Sequence, residues 1–240
     1  MQNRYVADIG DFGKIGLLRK LQETGCSIGV NWYITPDENH NTDGCFTDYL
    51  KHDSFRNYDS ILYEALKKIV DNKKRNVQEI QNAGILNAVY YSEELSFKGR
   101  TKTERAVIRD IWHKAALKAL SNIDIVFLDP DNGIITSSTT ESPKSNKYVL
   151  TEELINYYNQ GSSIVYYQHK ARKRDEFYIN QHLMLISNSH LKNAGGLLLK
   201  FQKTSHRYYG FIIQPKHEKL INEAVEKMLE TSWNDFFCLK

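Results

Sequence analysis

Apolar and polar positions alternate along the chain in blocks that switch between helical and strand periodicity. Phe12, Ile15, Leu18 and Leu21 recur at helical spacing ahead of Gly25, which predicts a helix over 11–24. The stretch 27–35, SIGVNWYIT, reads as a strand. A second helix is expected over 58–74, capped by Asp59 or Ser60 with Glu64 nearby. Residues 75–81, RNVQEIQ, suggest a short strand, and 85–95 a clearer one. The 102–121 segment predicts a long helix with Val107, Ile111, Ala115 and Leu117 facing the core. It feeds the strand that opens IDIVFLDPDNGI at 123–134. A helix over 151–161, entered through a capping box at Thr151 and closed by Gly161, precedes a strand at 162–169. A helix over 174–193 and two strands at 195–205 and 207–215, joined by a short turn, complete the pattern.

From 27 onward the order is β-α-β-β-α-β-α-β-α-β-β, which predicts an α/β fold with a mostly parallel, doubly wound sheet and a C-terminal antiparallel hairpin. One Rossmann-like domain over 1–240, with an irregular or helical insertion around 36–60, accounts for the length. A second register is open near the start. There YVAD is the first strand and IGDFGKIG its loop, with Gly10, Gly13 and Gly16, and Asp37 or Glu38 ends the next strand as a ribose-binding acid.

Composition changes this picture little. The chain of 240 residues is 41% hydrophobic and 25% charged, ordinary for a globular protein. No apolar run approaches the roughly 20 residues of a membrane-spanning helix, and the N-terminal stretch lacks the order of a signal peptide, so a soluble cytoplasmic protein without membrane contact is expected. Cys26, Cys45 and Cys238 have no paired spacing and suggest neither disulfides nor a zinc site. A net charge of +3 does not by itself announce nucleic-acid binding. Two basic runs, KKRN at 73–76 and HKARKRDE at 169–176, either coat solvated faces or, in the second case, rim the same sheet edge as Asp129. The polar run 136–147 reads as a loop.

The stretch 123–134 carries the sharpest chemical signal. An apolar strand ending in Asp129, with Pro130, Asp131, Asn132 and Gly133 behind it, is either turn chemistry or a strand-end carboxylate of the kind that meets ligands in open parallel sheets. Asp129, and with it Asp131, could accept hydrogen bonds from an amine or share a divalent metal through hard oxygens. His169 could act as base or ligand, against the plainer role of a surface histidine. Lys170, Arg172, Lys173 and Arg174 could clamp phosphate. Lys14 could pair with Asp11 or with a ligand carboxylate. The aromatic pairs at 90–91, 166–167 and 208–209 read as sheet packing.

A parallel sheet ending in a reversed strand, with FLDPDNG at the end of its fourth strand, resembles class I S-adenosylmethionine-dependent methyltransferases, whose amino-methylating members often carry Asp-Pro-Pro-aromatic there. DIGDFGKIGLLRKL is similar to the lysine-bearing helix before the first strand of certain adenine-N6 rRNA methyltransferases and three-Cys-motif partner proteins. The resemblance implies S-adenosylmethionine as cofactor, held by Asp8, Asp11, Lys14 and Asp37. It implies catalysis by Asp129, Asp131, Asn132 and His169, and substrate contacts from Lys170, Arg172 and Arg174, with nucleic acid as a possible partner. The sequence departs from the family in two places. No glycine-rich loop follows the first strand before Gly44, and Asp131 and Asn132 stand where the second proline and the aromatic would be. Two other functions stay open: a metal-dependent nuclease using Asp129 and Asp131 with Mg²⁺, and a Rossmann-like binding subunit without catalysis.

Overall fold

The computed structural model describes residues 1–38, 44–136, 139, 142–204 and 206–240. The chain begins with a 3-10 turn at Asn3–Tyr5 and enters helix α1 (Ile9–Gln22) through Asp8, whose side chain accepts the Asp11 N–H at 2.8 Å. Every residue from Ile9 to Leu18 is buried, so α1 runs through the interior and carries no solvent stripe over that length. Its glycines make that possible. A Cβ on Gly13 would stand 2.4 Å from the Phe201 ring, and one on Gly16 2.2 Å from Trp233. Gly10, Gly13 and Gly16 are therefore points of close helix packing, which overturns the register that made them a cofactor loop.

Strand β1 (Ile28–Asn31) is followed by 3-10 turns at Asp48–Lys51 and Asp53–Asn57 and by α2 (Ser60–Asp71), capped by Asp59 at 2.9 Å from the Leu62 nitrogen. The 75–81 segment is helix α3 (Val77–Asn82) and not a strand: Asn76 caps it by accepting the Glu79 N–H at 3.0 Å, which outweighs the weak alternation of RNVQEIQ. Strand β2 (Ala88–Tyr91) leads to α4 (Lys102–Ala119). Its inner face differs from the expected one: Arg109, Trp112, His113 and Ala116 are buried, while Val107 and Ile111 are 54% and 63% exposed. Trp112 and the ion pair of Arg109 turn the helix so that Ile108, Ala116 and the expected Leu117 pack against the core, while Val107 and Ile111 face outward.

Strand β3 (Ile125–Leu128) ends at Asp129. A small parallel pair, β4 (Gly133–Ile134) and β5 (Tyr148–Val149), then leads to α5 (Thr151–Asn159). Here Glu153, and not a partner of Thr151, closes the helix start by accepting the Leu150 N–H at 2.9 Å. Strand β6 (Ser163–His169), α6 (Asp175–Ile186), β7 (Gly195–Phe201) and β8 (Arg207–Ile213) follow. The pattern of the sequence did not foretell α7 (Glu218–Leu229) or β9 (Phe237–Leu239).

The seven-stranded sheet has the order β2-β1-β3-β6-β8-β7-β9. The first four strands are parallel, whereas β8 runs antiparallel to both β6 and β7, and β9 antiparallel to β7. The C-terminal hairpin is thus present, with its second strand seated against β6. Alternate residues of the central strands serve two apolar layers, Ile125, Phe127 and Val165 on one face and Val126, Leu128 and Ile164 on the other. Helices cover both faces, α1, α2 and α7 on the first side and α4, α5 and α6 on the second. The protein is an α/β fold of Rossmann-like type with a mainly parallel sheet and an antiparallel C-terminal part. Among the described residues no helix is long and apolar enough to cross a membrane.

Candidate functional site

A cavity of about 410 Å³ lies where the parallel strands end, between Asp129–Asn132 after β3, His169 at the end of β6, the first turns of α1, and Arg207 at the start of β8. This is the edge at which open parallel sheets meet their ligands. Its deepest feature is an ion cluster. Lys14 Nζ stands 2.6 Å from Asp11 Oδ1 and 2.6 Å from Asp129 Oδ2, with all three side chains at most 5% exposed. The ammonium also sits 5.3 Å from the centre of the Trp32 ring. Burial opposes the charge of Lys14, but Asp11 and Asp129 outweigh it and hold its pKa well above the lysine range. Burial pushes both carboxyls up, against the pull of Lys14.

Asp131 has the opposite character. Burial would raise it, but the Met1 ammonium at 2.8 Å, the Gln2 amide at 2.7 Å and Lys147 at 3.8 Å hold its carboxyl below the usual range. Two aspartates two residues apart are therefore pushed in opposite directions, a pattern that favours distinct roles. Asn132 contributes through its backbone: its N–H donates to the Lys147 carbonyl at 2.9 Å, and its own carbonyl accepts from the His169 N–H at 3.2 Å. It joins the exits of β3 and β6 to the strand that follows Lys147.

The structure brings Asp8, Asp11, Lys14, Asp129, Asp131, Asn132 and His169 to this one cavity. Asp37 is exposed and lines a neighbouring cavity instead. Lys170, Arg172 and Arg174 do not line the site: they occupy the connection from β6 to α6, where Lys170 Nζ donates to the Lys173 carbonyl at 2.8 Å and Arg174 precedes the helix.

Sequence reasoning missed Arg207 and Lys147 as site residues; it read Tyr167 as sheet packing and offered Glu38 only as an alternative to Asp37 for binding ribose. Arg207, 9% exposed, faces Tyr167 and Phe201 with its guanidinium 5.7 and 5.0 Å from the ring centres. Its register opposite His169 puts it at the cavity. A signal existed, because Arg207 opens an apolar strand just as Asp129 closes one. Its meaning depended on the seating of β8 beside β6. Glu38 and Lys147 pair at 2.5 Å across the cavity wall.

The carboxylates do not fit a divalent metal. The Lys14 ammonium already stands between Asp11 and Asp129, and among the described residues no group of three or more His, Cys, Asp or Glu is placed to hold an ion. No protein-family model matches this chain, and no curated protein matches it.

Proposed function

We propose that the protein is a methyltransferase-like enzyme that binds S-adenosylmethionine, and acts on nucleic acid or a related polar substrate, in the cavity at the carboxyl ends of the parallel strands. The observation that carries this reading is Asp129, a strand-end carboxylate on the cavity wall of a sheet whose strand β8 is reversed. The donor set suits a zwitterionic cofactor, since Asp8, Asp11 and Asp131 share the cavity with Lys14, Lys147 and Arg207. Asp8 would face an ammonium, and Arg207 a carboxylate. The glycine cradle of the resemblance is replaced by Trp32 and Tyr33, both fully buried after β1, so contacts would come from α1 and β8.

When bound, the cofactor supplies the methyl group. The chain's own contribution is orientation. Asp129 accepts hydrogen bonds from the substrate amine and aims its lone pair, while Lys14 fixes the carboxylate and opposes the upward push of burial on its pKa. His169, exposed at the rim, takes the proton the amine releases.

Thermal unfolding with S-adenosylmethionine, compared with Mg²⁺ and Mn²⁺, tests the reading. At a hundredfold excess over Kd the cofactor should stabilise by about 2.7 kcal/mol. A shift with metal and none with millimolar cofactor would place the nuclease ahead of the methyltransferase. Cofactor binding without transfer to any nucleic acid would favour a binding subunit.

A further inference from the structure

Beside the site lies a second cavity of about 340 Å³, lined by the segments that follow β1 and β2 and by the 3-10 turn that precedes β5. Its floor is the stretch after β1, one wall is the loop after β2, and the other is the 3-10 turn Pro143–Lys147. The walls are tied together. Asn146 Nδ2 donates to the Leu95 carbonyl at 2.9 Å, and Leu95 N–H donates to the Ile34 carbonyl at 2.8 Å. From beneath, the buried Arg109 guanidinium donates to the carbonyls of Ser145 at 2.9 Å and Tyr148 at 2.6 Å.

Four cations line this cavity, Lys98, Arg100, Lys144 and Lys147, against the carboxylates of Asp37 and Glu38. Lys147 spends its charge on Glu38. Lys98 and Lys144 are exposed on opposite walls and make no ion pair among the described residues, and Arg100 meets Glu104 only at 3.8 Å. Gly99, at φ +71°, leaves open space where a side chain would stand. Unspent cations on both sides of one cleft match an anion that carries more than a single charge or repeats its charge along a chain. A phosphate group takes a lysine as a point charge and an arginine through its planar fork.

We propose that this cavity is a phosphate-binding site for a phosphate ester, with Lys98, Arg100 and Lys144 as its contacts. Glu38 and Lys147 line both cavities, so a ligand seated here lies directly beside the Asp129 site. The site goes beyond the methyltransferase reading and stands without it.

The test is fluorescence anisotropy of a short dye-labelled single-stranded oligonucleotide at about 50 and 200 mM salt, with AMP as competitor. The double variant K98E/K144E should bind about tenfold or more weakly, and its salt slope should fall by about 0.7 for each phosphate it no longer neutralises. Asp37→Asn should bind more tightly than the wild type. As control, K216E/K219E makes the same change of net charge on the segment that follows β8 at the opposite sheet edge and should bind as the wild type does. Competition by AMP at matched phosphate concentration would mark the ligand as a nucleotide, and its failure would mark a polynucleotide backbone. Equal weakening by the control, unchanged binding by K98E/K144E, or no binding of either probe by the wild type would overturn the proposal. Cofactor stabilisation is read separately, so failure of the methyltransferase reading leaves this result distinguishable.

Discussion

Lys14 is the residue on which the site depends. Removing one partner of a buried ion pair leaves an uncompensated charge and costs about 3–5 kcal/mol. Lys14→Met should cost about that at neutral pH, because Asp11 and Asp129 then lose the cation that stands between them. The sign of the pH dependence follows from the direction of their shifts. A carboxyl whose folded pKa is raised stabilises the fold below its ordinary value of 3.8 and loses that contribution as pH rises through the folded value. The variant should therefore lose least in acid and most near neutrality. Urea midpoints at pH 5 and pH 8 measure this, and an equal deficit at both would mean that neither carboxyl changes its protonation between those pH values. Asp129→Asn keeps the shape of the side chain and should abolish methyl transfer while cofactor stabilisation persists. The sequence made Asp129 a candidate, but not its part in a buried cluster whose loss strains the fold as well as the chemistry.

At the scale of elements, α1 shows how packing overrides propensity. Alanine favours a helix over glycine by about 1 kcal/mol, yet a Cβ at Gly16 would stand 2.2 Å from the rigid, buried Trp233 ring. Gly16→Ala should therefore destabilise by about 1–3 kcal/mol net, the usual cost of overpacking. A melting temperature equal to or above that of the wild type would show that α1 can shift away from Trp233 at little cost. Helix α2 offers a simpler case. Asp59 both caps Leu62 and pairs with Arg19 at 2.6 Å, so Asp59→Ala should cost about 0.5–2 kcal/mol from the cap alone, read as a lower urea midpoint. Asp59 was legible as a cap because capping is local. The inward face of α4 was not, because Val107 and Ile111 follow the apolar period while Arg109 and Trp112 carry the contacts.

Over the whole molecule, the site is braced from the far face of the sheet. Glu153 pairs with Arg109 at 2.7 Å and accepts the Tyr33 hydroxyl at 3.1 Å, which links α4, α5, the residues after β1 and, through Arg109, the Pro143–Lys147 turn. Burial works against its ionisation, but Arg109 outweighs it and holds the Glu153 carboxyl below its ordinary value of 4.5. A depressed carboxyl gives stability that is present above the ordinary value and lost as pH falls through the folded one. Glu153→Gln should thus be most destabilising near pH 7, and its deficit should narrow on acidification below about pH 4.5. A deficit that stays constant down to pH 3 would mean that the brace works by shape and not by charge.

What the sequence determined by itself is what short-range physics encodes. Strand runs with β-branched and aromatic residues, helix caps such as Asp59, the stop at Gly25 and the apolar period of α1 all act within a few residues, and they located most elements and the acid at the end of β3. What only the tertiary structure decided is which distant residues meet. Lys14 and Asp129 are 115 residues apart, and Arg207 reaches the same cavity because β8 pairs with β6 in reverse. Period and propensity carry no term for the order in which strands pair. That order follows from burying both faces of one sheet at once, and the cation that neutralises Asp129 is chosen there.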